Sequence, residues 1–523
     1  MMRTVMRTVM RSSACLLAGL LLLTAAGVAR GETLPLLETQ PDSALAVALR
    51  QVAGESLPLS DAVGAALEQS TEVRVAEADL AAAIGALKRE KGSFDPELFA
   101  ALSRSSSEAP TASFFAGAEV LEQQTTQANG GARVLLPIGT RIEALISTNS
   151  LESNSSFVGL DPEKNATTSL TVRQPLLKGF GPATSGRKDS ADQGAAAALA
   201  RYEDARAALR AEVESTYWTL YAAERDLAAQ IVIQDRARLL MEETDLRAKA
   251  GLVARGAVAN SSAFLAESDQ GLLDREEAVA TISDRLATLM GRRPSNAQGR
   301  FHAHDAPPSE PPTISVEDLL LRALADNRSV AAAERDLDAA RARARAAKWN
   351  ALPQLDVFAS VGGYGLAGEP RDSTAAALRG GTGDAISDAF ARDYPNWSAG
   401  VEVSLPIGLR AGRGERDRAT AEMRAAEQRA LGVRRQVEEN VRTSWRELTT
   451  SSRRLDAAQR GVDASLEQVR LALIQYRNGA TTAFEVVNLG ADLVTAQQRY
   501  SAALVRAAQA WAEIRRLTYE EAP

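Results

Sequence analysis

The chain has 523 residues, a formal net charge of −7, 24% charged and only 5% aromatic residues. An alanine-, arginine- and glutamate-rich chain of this kind favours long helices over a large globular core, and its acidic balance argues against nucleic acid and anionic lipid surfaces as partners. The one cysteine, Cys15, leaves the rest of the chain without a disulfide, a thiolate nucleophile or a cysteine-ligated metal.

Residues 1–29 read as a secretory signal peptide. Arg3, Arg7 and Arg11 open it, residues 14–23 are apolar, and small residues follow to Ala29. The apolar run is short for a membrane span. Cys15 opens that run instead of following it, so no lipid anchor is expected. No later apolar run is long enough to span a bilayer as a helix. An exported chain of this kind is periplasmic, secreted, or inserted in a membrane as β-strands.

Residues 30–56 read as an irregular lead-in. Leu57-Pro58-Leu59-Ser60-Asp61 then starts a helix, with Ser60 as N-cap, that runs to about Lys91 and breaks at Phe94-Asp95-Pro96. The same pattern returns 257 residues later without a gap. Asp61 matches Asp318, Ala66-Leu67 matches Ala323-Leu324, Val73 matches Val330, Glu77 matches Glu334, and Pro96 matches Pro353. A shared proline ending both helices marks a tandem duplication. Its first copy is expected over 57–293 (strands about 94–177, helical hairpin about 185–289) and its second over 314–519 (strands about 352–407, hairpin about 413–517). Residues 294–313, rich in proline and polar residues, read as a linker, and 520–523 as a tail.

Extended segments are expected over 94–103, 132–148 and 168–177, then 352–364 and 397–407. They alternate with a period of two: Trp397, Ala399, Val401, Val403 and Leu405 are apolar between small or polar neighbours. That alternation alone fits either a barrel in lipid or a soluble sheet lying on helices. Residues 105–127, 152–166 and 367–393 are expected as exposed loops. So few strands cannot close a channel alone, and an open edge in lipid is not tolerated. Membrane insertion therefore requires several copies sharing one barrel.

The stretch 413–517 reads as two long antiparallel helices with coiled-coil seams. Val441, Leu448, Leu455, Val462 and Val469 recur every seven residues on the first, and Leu489, Leu493, Ala496, Tyr500 and Leu504 follow on the second. The first arm would be roughly 95 Å long. Leu209, Val213, Leu220, Leu227 and Ile231 give the first half a similar arm, turning at Ala250-Gly251-Leu252.

A signal peptide, a duplicated helix–strands–hairpin unit and hairpins of this length resemble the TolC-like outer-membrane efflux protein family. The most specific pieces are Gln174-Pro175-Leu176-Leu177-Lys178-Gly179-Phe180-Gly181, Ser404-Leu405-Pro406-Ile407, and Gln475-Tyr476-Arg477-Asn478-Gly479 leading into Phe484-Glu485-Val486-Val487. The resemblance implies a mainly α fold with a membrane β-barrel part. Three chains would share an outer-membrane barrel continuous with a periplasmic α-barrel. It implies a passive exit duct of a tripartite efflux or type I secretion system, in outer-membrane lipid, with no cofactor and no catalysis. Its partners would be a periplasmic adaptor, meeting the hairpin tips, and an inner-membrane pump of RND or ABC type. Carried over by position, Gly251, Leu252, Gly479, Ala480 and Thr481 are tip residues that contact the adaptor. Gln475, Tyr476, Glu485 and Asn488 border the periplasmic aperture, while Ala257 stands where the first half would carry the counterpart of Glu485. One departure lies in the strands: Leu136-Pro137-Ile138-Gly139 resembles Leu405-Pro406-Ile407-Gly408 but leads into another strand, an extra hairpin beyond two strands per half.

His302-Ala303-His304-Asp305 has metal-ligand residue types, but in a chain with two histidines an exposed linker is the plainer reading. Glu243 with Asp245, and Glu276 with Glu277, read as solvated helix faces and not as acid pairs. Tyr217, Trp218 and Tyr221 read as packing residues. The competing functional reading is a periplasmic or surface coiled-coil protein without a pore.

Overall fold

In the computed structural model, the described residues are 41–112, 116–295, 299–308, 314–478 and 480–520; the signal peptide falls outside them. The duplication is visible element by element. Helix α2 (Leu59–Gln69) corresponds to α6 (Val316–Asp326), and α3 (Thr71–Gly92) to α7 (Arg328–Asn350). Helix α4 (Pro182–Lys249) corresponds to α9 (Arg410–Arg477), 68 residues each, and α5 (Arg255–Met290) to α10 (Ala483–Thr518), 36 residues each. The equivalence reaches single atoms. Ser70 and Asn327 cap α3 and α7, their side chains accepting from Glu72 N and from Ser329 N and Val330 N. Gly291 and Tyr519 end α5 and α10 in the same left-handed conformation, φ 66° and 51°.

Asn327 is also buried and donates to the Leu517 carbonyl at 3.1 Å, tying α7 to the end of α10. Asn327→Ala is expected to cost about 1–3 kcal/mol, since the cap and a buried carbonyl partner are lost together. Chemical denaturation of the purified protein checks this.

The hairpin arms are unequal, as the expected bounds of the hairpins and their turns imply. At about 1.5 Å per residue, α4 and α9 are each about 100 Å long and α5 and α10 about 54 Å. The short arms flank only the tip-end half of the long ones. Helices α3 and α7 flank the other half. Contacts run α5–α4–α10–α9 toward the tips and α3–α4–α7–α9 toward the sheet, so the layer is four helices wide throughout. Of the seam residues, Val441, Leu448, Leu455 and Val469 are buried on α9 and Leu493, Ala496 and Leu504 on α10, with Val462, Leu489 and Tyr500 half-buried.

Six strands form one antiparallel sheet in the order β2 (Glu97–Pro110), β3 (Val120–Leu135), β4 (Arg141–Ser153), β5 (Leu160–Pro175), β7 (Gln354–Pro370), β8 (Tyr394–Ser404). Most of the residues expected as loops over 105–127 belong to strands, and those over 152–166 and 367–393 are partly ordered too. Their polar alternation carried no apolar signal, but the ladder continues through it, Ser105 facing Thr125 and Lys164 facing Ala367. A helix, α8 (Thr382–Ala391), is inserted between β7 and β8.

Residues directly opposite across a ladder share a face. One row crosses all six strands as Leu98, Ala132, Ala144, Leu170, Val361 and Trp397. The row one step along has the opposite face: Glu97, Arg133, Glu143, Thr171, Ser360 and Ser398. The sheet therefore has one apolar and one polar face across its whole width. The extra hairpin is part of it. Gly139 and Gly408 adopt the same backbone, φ 96° and 91°, but the first turn reverses into β4 while the second opens α9.

Two segments expected to be irregular are ordered. The lead-in contains α1 (Pro41–Gln51) and β1 (Glu55–Leu57), and the linker contains β6 (Phe301–Ala303). They pair in parallel, Ser56 with His302, and Phe301 is fully buried. The linker is thus anchored at Phe301 and Ala303, while Ser295, Gly299 and His304 beside them are exposed. A three-residue strand with one phenylalanine is too short to show a period, so only its partner β1 and the α4 surface beneath reveal it.

Candidate functional site: the hairpin tips and the seam on α4

The α4–α5 tip ends in a Schellman turn. Gly251 has φ 76°, the left-handed region that glycine enters without a Cβ penalty. Its N–H donates to the Ala248 carbonyl at 3.0 Å, and Leu252 N–H donates to the Arg247 carbonyl at 2.9 Å. The second tip repeats the pattern: Ala480 N–H donates to the Gln475 carbonyl at 2.8 Å. Gly479 lies outside the described residues, as does the side chain of Tyr476. The apolar contact that usually closes such a turn is open here. Leu246 and Leu252 are 65% and 74% exposed at the first tip, and Phe484 is exposed at the second.

The two tips differ in their caps. Thr482 Oγ1 accepts from Glu485 N at 3.3 Å and starts α10, whereas Ala254 starts α5 without a side-chain cap. Glu485 is an exposed acid in the first turn of α10, where the helix dipole favours negative charge. Gln475, Asn488 and Ala480 are exposed too, and Thr481 is half-exposed. Behind the tips, Leu240 of α4, Phe264 of α5 and Val487 of α10 pack together and join the hairpins. Sequence reasoning missed a neighbouring feature. Arg236 of α4 is held against Gly490 of α10, where a Cβ would run into its guanidinium. Burial lowers its pKa, and no ion pair involves it among the described residues. A glycine within the strong helical pattern of α10 was the available signal.

The residues singled out for possible chemistry are occupied structurally. His302 Nδ1 lies 3.1 Å from buried Glu224, and His304 Nδ1 lies 3.3 Å from Ser56 Oγ. Glu243 and Asp245 pair along α4 with Arg247 and Lys249, each at 2.6 Å. Tyr217 is fully buried and meets Trp218 edge-on at 5.0 Å, and Trp218 meets Tyr221 at 6.4 Å. Tyr217 Oη donates to the Leu57 carbonyl at 2.9 Å and accepts from Asp305 N at 2.8 Å. Asp305 in turn accepts from Leu59 N at 2.7 Å at the start of α2. The β1–β6 seam is thereby fastened to α4. Glu224 was legible in principle: it follows Tyr217 and Leu220 on the buried stripe of α4, an acid where a seam residue belongs.

The Glu224–His302 pair makes the seam pH-dependent. Burial raises the Glu224 carboxyl, and the neighbouring carboxylate raises the His302 imidazole. Both folded-state values lie above the unfolded ones, so the native state holds the extra protons. Each contribution is full at low pH and lost as pH rises through that group's own raised value, above 4.5 for Glu224 and above 6.5 for His302. The thermal midpoint is expected to fall by a few degrees between about pH 6 and pH 8. His302→Gln should flatten that slope, with the thermal midpoint from circular dichroism as the readout.

Where the layers meet, a cavity of about 1080 Å³ lies between α4, α7 and α9. Six basic residues, Arg335, Arg341, Arg345, Lys348, Arg413 and Arg416, outnumber three acids, Asp189, Asp192 and Asp338, on its walls. The net acidity of the chain therefore does not extend to this part of it.

Residues 319–518, most of the second repeat, match the family model of the outer membrane efflux protein. No curated protein sequence matches the chain. Among solved structures, the outer-membrane channel OprN superposes with a TM-score of 0.62 at 18% identity, covering 95% of this chain and 98% of that one. The outer membrane protein VceC from Vibrio cholerae gives 0.60 at 17% identity over 88% and 95% of the two chains. The CmeC outer membrane channel of Campylobacter jejuni gives 0.60 at 14%, over 88% and 85%. The outer-membrane location implied by the resemblance agrees with both the family matched and these channels. The second repeat thus carries the sequence pattern of the outer membrane efflux protein family, and the described chain has the fold of these outer-membrane channels.

Proposed function

We propose that the protein is the outer-membrane exit duct of a tripartite efflux or type I secretion system and works as a homotrimer. It is a passive conduit: it does no chemistry, and its conformational step is the opening of the hairpin tips. The observation that carries this reading is the open wall formed by one chain. Among the described residues the sheet ends at β2 and β8, and its apolar face crosses all six strands, with α8 lying over part of it. The helix layer ends at α3 and α5 on one side and α9 on the other. Exposed apolar residues stand on those edge helices: Val75 and Ile84 on α3, Leu273 on α5, Leu471 and Ile474 on α9. Lipid tolerates neither an open strand edge nor unsatisfied backbone groups. Rotated copies of the chain close both layers at once.

At the far end, a periplasmic adaptor linked to an inner-membrane pump of RND or ABC type docks on the tips. Leu252, Ala480 and Thr481 offer it an exposed surface. Gln475, Tyr476, Glu485 and Asn488 border the aperture that it opens. Coiled-coil helices can slide with little loss of apolar burial, which makes tip opening physically economical.

A thiol introduced at Thr481→Cys is the only one outside the signal peptide. A short thiol-to-amine crosslinker in permeabilised cells should join it to a periplasmic adaptor, identified by mass spectrometry. A labelled thiol that joins neither an adaptor nor a second copy would contradict the docking role of the tips.

A further inference from the structure

We infer that the trimer's barrel is built from all six strands of each chain, with β8 of one chain pairing with β2 of the next. This rests on the trimeric reading above. Three six-stranded sheets make an 18-stranded barrel, where two strands per half would make 12.

Four observations carry the assignment. The additional hairpin is not an appendage: β2 pairs with β3 from Glu97↔Arg133 to Pro110↔Val120, and β3 with β4 from Leu135↔Arg141 to Gln123↔Ser153. The apolar and polar faces also run through it, so the hairpin suits lipid on one side and water on the other, while α8 covers part of the apolar face of β5 and β7 at Ala166, Thr168, Gly363 and Gly365. Next comes strand direction. β2 and β8 are the first and sixth strands of an antiparallel sheet and run in opposite senses. Placing β8 beside a neighbour's β2 continues the antiparallel ladder and satisfies both edges.

The third is continuity between layers. β2 follows α3, an edge helix, and β8 leads into α9, the other edge helix. When α9 packs on a neighbour's α3, β8 arrives beside that neighbour's β2. Reaching β4 instead would require it to cross two strands that are already paired.

The last is size. Twelve helices about 9.5 Å apart make a ring about 37 Å across. Eighteen strands about 4.8 Å apart and tilted about 40° make one about 36 Å across, against about 24 Å for 12 strands at that tilt. The wider barrel meets the helical ring without constriction.

Cysteine pairs test the pairing. Ser398→Cys on β8 is combined in turn with Ala101→Cys, Ser103→Cys and Ser105→Cys on the same face of β2. A control set combines it with Ser147→Cys, Asn149→Cys and Leu151→Cys on β4. Oxidation should give covalent trimers with at least one β2 pair and none with β4. Crosslinks to β4, or none in either set, would overturn the pairing. Heat-sensitive trimers of the unmodified protein, run in parallel, separate this outcome from failure of the trimeric reading, in which no trimer appears at all. End-on electron microscopy of the unmodified trimer is independent of any variant. A barrel ring near 36 Å supports the assignment, and one near 24 Å contradicts it.

Discussion

Tyr217→Ala is expected to destabilise the protein by about 3–5 kcal/mol, the range for removing a large buried aromatic side chain. Tyr217 has no exposed surface, and its ring packs edge-on against Trp218. Its hydroxyl bridges two main-chain groups, the Leu57 carbonyl and the Asp305 amide, on segments 248 residues apart. Removing it opens a cavity and strands both groups in a buried site. Tyr217→Phe separates the two contributions: the ring stays, two hydrogen bonds go, and the cost should be about 1–3 kcal/mol. Burial lifts the phenol to about 12, so the hydroxyl stays protonated and donating across the physiological range. Denaturation followed by tryptophan emission, with Trp349, Trp397, Trp445 and Trp511 replaced by Phe in the background so that Trp218 reports alone, reads both variants. A red shift in the native state of Tyr217→Ala would show that the β1–β6 seam had lifted from α4. Equal, near-zero effects from the two variants would mean that the seam is not fastened here.

Gly365→Val should detach α8 from the sheet. A Cβ at Gly365 would run into the Ala385 carbonyl, and one at Gly363 into the Ala389 carbonyl. The helix lies this close because both β7 positions lack a side chain. Ala385 and Ala389 pack on Ala166 and Ala367, and Thr168 Oγ1 donates to the Ala389 carbonyl at 3.0 Å. No rotamer of valine relieves a collision between Cβ and main chain. The cost should reach or exceed the about 1–3 kcal/mol of ordinary overpacking. Gly383→Ala, in α8 with open space around it, is the control and should be neutral or slightly stabilising. Trypsin added to intact cells gives the readout: Arg379 and Arg392 flank α8, and cleavage there should appear in Gly365→Val alone.

The duplication, the seams and the hairpin turns were legible because each rests on local chemistry. The shared offset of 257 residues aligns α2 with α6 and α3 with α7 as the structure has them. Buried Val441, Leu448 and Leu455 are the heptad as written. Gly251 marks a left-handed turn because few other residues take one at low cost. What escaped the sequence depends on partners far along the chain. Beyond the apolar band, β2 reads Ser105-Ser106-Ser107, with no period at all. Only its ladder with Gln123, Gln124 and Thr125 makes it a strand. The β1–β6 seam likewise exists through pairing between a lead-in and a linker. The lengths of α5 and α10 follow from the turn positions, but that α3 and α7 flank the remaining half of the long arms shows only once the helices are side by side. At the tips, turn geometry was legible and electrostatics less so. Glu485 could be named, but the buried Arg236 against Gly490 shows itself only once the hairpins are side by side.

The central claim is that copies of this chain close around a water-filled path through a membrane. The most direct measurement is the electrical conductance of detergent-purified trimers in a planar lipid bilayer. The account predicts discrete, ohmic steps carried by a species that runs as a trimer unheated and as a monomer after boiling. Protein recovered in the soluble fraction after lysis, monomeric and without conductance in the bilayer, would contradict it and favour a coiled-coil rod with no pore.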